Sequence, residues 1–137
     1  MRELLLIGVW KNYKNPQYPS ANYFIDFSWD ANIKRQVIWY LKRIQPYVVS
    51  PGRDECVIDF NCQYTSLGMC MDERYNWPLN LVHYVECHGV RLPDEFVEHV
   101  TKNIQSAIKI KNQEIDYKNV IVRDDWWLNQ KGWLKDN

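Results

Sequence analysis

Seven side chains are of types that hold metal ions or act as a nucleophile with its base: Cys56, Cys62, Cys70, His83, Cys87, His88 and His99. Structural zinc usually draws its ligands from tight pairs, because one turn of chain then presents both. Cys56, Cys62 and Cys70 are separated by five and then seven residues, so their spacing predicts core thiols, packing or capping histidines, and no metal or other cofactor. His83 and Cys87 stand four apart and would share one helical face, which makes half a site. A nucleophilic cysteine needs a thiolate and a nearby base. Cys87 and His88 are chain neighbours that diverge on a helix, and no other pairing is visible locally.

Other catalytic patterns fare no better. The adjacent acids Asp54-Glu55, Asp72-Glu73, Asp94-Glu95 and Asp124-Asp125 read as solvated turns or helix starts. The five glycines stand apart, so no phosphate-cradling loop is present. No Gly-x-Ser-x-Gly elbow occurs. Lys34-Arg35 and Lys42-Arg43, with Trp39 and Tyr40 between them, read as the wet face of an amphipathic helix. The expectation is a protein that is not an enzyme. A small enzyme would need His83 or His99 beside an acid in an open pocket.

Chemistry of another kind is visible in Asp124, Asp125, Trp126 and Trp127. Adjacent tryptophans on a strand would face opposite sides, leaving one exposed or set against a partner, unless the tail wraps the domain and both pack sideways. Tryptophan is enriched where interfaces are anchored. Charge points the same way. The chain balances 17 basic against 17 acidic residues, yet residues 51–100 hold nine acids and three arginines. An acidic face suits a basic protein partner, while the neutral total makes nucleic acid an unexpected ligand. Asp72, Glu73 and Tyr75 form the second candidate patch.

The elements that must position these residues suggest one domain over 1–137, with 123–137 as an aromatic-rich tail packing on it. At 137 residues, 46% hydrophobic and 15% aromatic, the chain can bury a core. The fold class expected is α+β, with about three helices and a small sheet of short strands. One helix is predicted over about 30–43, capped by Ser28 and stopped by Pro46, with Ile33, Val37, Leu41 and Ile44 inward. A second is predicted to start near Asn76 with Pro78 in its first turn, and to end at Gly89 in the left-handed conformation. A third runs from about Asp94 to about Ile108. Strand signals occur at 4–10, 47–49, 56–60 and 117–122, and residues 63–70 suit a hairpin partner. Apolar residues 4–10 are too few to span a bilayer and lack the pattern of a secretion signal. The cytoplasm is the expected compartment, with all four cysteines reduced.

The residues Asp72-Glu73-Arg74-Tyr75-Asn76-Trp77-Pro78, then Leu81-Val82-His83-Tyr84-Val85, then His88-Gly89-Val90-Arg91-Leu92-Pro93 and Phe96, resemble a family of small uncharacterised bacterial proteins. That family's pattern runs Asp-Gly-x-Tyr/Trp-x-Trp-Pro, Leu-x-His-Tyr-Val and His-x-Val-x-Leu-Pro. The stretch 25–30 and the helix around Val37 to Leu41 are similar as well. Many members carry Cys-x-x-Cys-Gly ahead of the Trp-Pro. Here Asp59 stands where the second cysteine would, and Glu73 replaces the turn glycine. The resemblance implies a shared fold and brings no activity.

By exclusion and analogy, the expected function is that of a small interaction protein. The concrete form is an immunity protein neutralising a basic bacterial toxin domain, such as a contact-dependent-inhibition nuclease, through Asp72, Glu73 and Tyr75 or Asp124, Asp125, Trp126 and Trp127. The alternative is a zinc- or thiol-based binding module using Cys56, Cys62 and Cys70.

Overall fold

The structure, a computed structural model, describes residues 2–62, 65–104 and 119–133. Strand β1 (Arg2–Leu6) lies parallel to both of its neighbours in a five-stranded mixed sheet. It pairs with β4 (Tyr75–Pro78) on one side and β5 (Val120–Arg123) on the other. Beyond β4 come β3 (Thr65–Met71) and β2 (Val48–Asp54), both antiparallel, so the order is β2-β3-β4-β1-β5. The described residues also hold four α-helices, α1 (Ala31–Arg43), α2 (Leu81–His88), α3 (Asp94–Asn103) and the single turn α4 (Asp125–Leu128), and one 3-10 turn at Ala21–Phe24. The architecture is α+β, as the sequence predicts.

Helix α1 begins two residues later than Ser28 suggests. Asp30 is its cap, and its carboxylate accepts the Ile33 N–H at 3.0 Å. Ser28 instead turns back to the Asp26 carboxylate. Helix α1 packs on α2 and α3, and aromatic rings carry the contact down to the sheet. The Trp77 ring of β4 lies 6.2 Å from Tyr40 of α1 and 5.8 Å from Phe96 of α3, centre to centre. Leu81, Val85 and Val100 are fully buried beside them. Residues 105–108, the predicted end of α3, lie outside the described residues.

Two expectations for the middle of the chain are corrected. Asn76 belongs to β4 and caps no helix. Its side-chain amide donates to Tyr47 Oη at 2.8 Å and to the Cys70 carbonyl at 3.0 Å, partners that only the folded sheet supplies. Helix α2 starts later, after Asn80. Residues 56–60 form no strand either. The Cys62 N–H donates to the Asp59 carbonyl and the Asn61 N–H to the Asp59 carboxylate, a local turn that competes with a ladder. The partner of β3 is β2 instead, which runs through Pro51 and Gly52 with a register shift between Ser50 and Arg53. Proline is tolerated there because β2 is an edge strand.

Candidate metal centre

The long connection from β2 to β3 folds back over helix α2. Cys56 and Cys62 stand near its two ends, and His83 and His88 stand on α2. One ligand-type atom from each of the four side chains lies within 4.8 Å of every other. Cys56 Sγ is 3.2 Å from His88 Nε2, Cys62 Sγ is 3.4 Å from His83 Nε2, and Cys62 Sγ is 3.7 Å from His88 Nε2. A tetrahedral zinc with ordinary Zn–S and Zn–N bonds holds its sulfur and nitrogen ligands about 3.6 Å apart. The three sulfur–nitrogen separations straddle that value.

Local structure explains why these four meet. Tyr84, between the histidines in sequence, accepts the Val57 N–H at 3.1 Å on its hydroxyl, which docks the connection onto α2. Burial pushes the Tyr84 hydroxyl up to about 12, with the neighbouring Cys56 adding to it, so the phenol remains a neutral anchor. His88 is the last residue of α2. Gly89 follows in the left-handed conformation, φ 69°, and the Gly89 and Val90 N–H groups both reach the Tyr84 carbonyl. That cap fixes the direction in which the His88 ring leaves the helix. The His83 and His88 rings sit 5.0 Å apart.

Electrostatics favour the metal-binding form of one partner and not yet of another. Desolvation, then the nearby His88, lowers the pKa of His83, which keeps its imidazole neutral and its lone pair available. Desolvation and the neighbouring Cys56 raise the thiol pKa of Cys62. A bound divalent cation would reverse that by deprotonating the coordinating thiol. Cys56 is buried and Cys62 partly exposed.

The histidine pair His83-x4-His88 lies within the usual spacing of zinc-binding histidines. The cysteine pair, with five residues between, lies just outside the usual range for cysteines, and that outlier hid the site. Cys70 is buried away from the cluster and Cys87 is exposed outside it, so neither the Cys56, Cys62, Cys70 set nor the His83 and Cys87 pair is assembled.

The residues expected to bind a partner are dispersed, and several are internal. Asp72 is fully buried: its carboxylate accepts His99 Nε2, the Tyr40 hydroxyl and the N–H groups of Arg74 and Tyr75. Tyr75 is buried against Phe96. Trp127 is fully buried between Trp10 and Phe24, with its Nε1–H donating to the Val9 carbonyl at 2.7 Å. Because the segment is a helix and not a strand, Trp126 also packs inward, partly buried near Tyr75. Glu73 and Asp125 remain exposed, and Asp124 receives the Tyr18 hydroxyl.

The most exposed large rings are elsewhere. Phe60, 89% exposed, rides on the connection between Cys56 and Cys62, and Tyr13 is 87% exposed. Both line one cleft of 580 Å³ together with Asp54 and Glu55 and the cations Lys11, Lys14 and Arg53. No helix among the described residues is long and apolar enough to cross a membrane. No family model matches the chain, and no curated protein or solved structure matches it.

Proposed function

We propose that the protein is a metal-stapled binding module, with zinc held by Cys56, Cys62, His83 and His88 and no catalytic role for the ion. The observation that carries this is the mutual approach of four protein ligand atoms within 4.8 Å. Two thiolates and two imidazoles suit zinc by softness and by geometry. Four protein ligands complete a tetrahedral shell, whereas catalytic zinc keeps one position for water or substrate. The metal's work is then mechanical. It ties an irregular connection, which has few ladder bonds of its own, to a helix seated in the core. Titration with Co²⁺ tests this: the visible bands of a tetrahedral sulfur–nitrogen site should grow to one equivalent and vanish on adding Zn²⁺. An octahedral, nearly colourless spectrum would count against it.

What the staple presents supports an interaction role. Phe60 is held out in solvent between two ligands, with Glu55 and Asp59 exposed on the same segment. An aromatic anchor beside carboxylates suits a partner with an apolar pocket in a basic surface. The immunity-type reading therefore moves from the Asp72 and Trp127 patches to this segment. Against a basic toxin domain encoded beside the gene, Phe60→Ala should speed dissociation by tenfold or more. Unchanged kinetics would remove Phe60 as the anchor.

A further inference from the structure

We infer that Cys56 and Cys62 form an oxidant-sensitive release point: a peroxide joins them as a disulfide and frees the metal. The inference rests on the zinc reading above and adds its regulation.

Four features carry it. The two sulfurs lie within 4.8 Å of each other and belong to the same connection between β2 and β3. Among its described residues that connection makes local turn bonds and one bond to Tyr84, with Cys56, Val57 and Ile58 packed on the core, and no ladder bond has to break for Cys62 to close the remaining distance. Access is graded, since Cys62 is partly exposed and Cys56 only 1%. Oxidation should therefore begin at Cys62, with Cys56 held back as the resolving thiol. Finally, the other two ligands are His83 and His88, and two imidazoles alone make a poor zinc site.

The chemistry balances. Cys62 thiolate attacks hydrogen peroxide, giving Cys62 sulfenic acid and hydroxide. Cys56 thiolate then attacks the Cys62 sulfur, forming the S–S bond and expelling a second hydroxide. Two protons from solvent convert the hydroxides to water. Two thiolates lose one electron each, peroxide is reduced to two waters, and Zn²⁺ leaves unreduced. Cys70 is a built-in bystander, buried with its thiol pushed up to about 12 by desolvation. Cys87 is exposed but outside the cluster, so its oxidation alone should not release metal.

The test uses the zinc-loaded full chain carrying Cys87→Ser, treated with hydrogen peroxide in the presence of a chromogenic zinc chelator. One zinc should be released per chain as two thiols disappear. The peptide spanning 56–62 should lose the mass of two hydrogens. A dithiol reductant with added Zn²⁺ should restore the starting state. Zinc retained with its thiols intact overturns the inference and leaves the zinc reading standing. So does release with separate sulfinic acids and no disulfide. If the untreated chain takes up no zinc, the zinc reading falls and this inference with it.

Discussion

His99 Nε2 lies 2.8 Å from Oδ2 of Asp72, a carboxylate with no solvent exposure in the turn between β3 and β4. Burial opposes ionisation of Asp72, but hydrogen bonds from His99 and Tyr40, the charge of His99 and the Tyr75 N–H outweigh it, leaving the pKa below the ordinary value. A carboxyl depressed in the folded state adds stability that is complete above its unfolded pKa and lost as pH falls through the folded value. Asp72→Asn should therefore cost about 1–3 kcal/mol at neutral pH, because it leaves buried donors short of an acceptor. The gap to wild type should narrow below about pH 4. Denaturant titrations at several pH values check this; a gap independent of pH would contradict it.

Trp127→Ala should act on stability and not on a partner. The ring is fully buried and its N–H serves the Val9 carbonyl, so truncation should cost about 3–5 kcal/mol. Thermal unfolding measures it. A near-neutral effect would mean that the ring is not core.

Gly89→Val should destabilise by about 1–2 kcal/mol, because a side chain at positive φ is strained. An added Cβ would also come within 2.3 Å of the Phe27 ring, though Phe27 is largely exposed and free to swing away. As Gly89 directs His88, the same variant should weaken metal affinity. Unchanged stability would contradict the strain at the cap, and lost stability with unchanged affinity would separate the cap from the site.

Thiol reactivity should divide the cysteines. Cys87 should react at once in the folded chain, and Cys70 only after denaturation. Cys56 and Cys62 should become reactive when a chelator removes the metal. Timed labelling followed by peptide mass analysis reads all four.

Much of the fold was legible because it depends on local pattern. The inward stripe Ile33, Val37, Leu41 and Ile44 predicts α1, and Gly89 predicts the end of α2. The turn at Asp72 was legible too, but not that His99, a helix away, would bury its carboxylate. Asn76 reads as a cap in the sequence because its real partners are Tyr47, 29 residues away, and the Cys70 carbonyl across the β3–β4 ladder. The metal centre was hidden for the same reason. Its cysteine and histidine pairs lie on separate elements with the β3–β4 hairpin between them, and each pair alone looks like half a site.

The zinc content of the purified chain tests the central claim most directly. Protein prepared without chelator should carry one zinc per chain by elemental analysis. Cys70→Ser and Cys87→Ser should keep it, while Cys56→Ser, Cys62→Ser, His83→Ala and His88→Ala should each lose most of it. A wild-type chain that stays metal-free after incubation with Zn²⁺, or an equal loss in the Cys70 and Cys87 variants, would contradict the account.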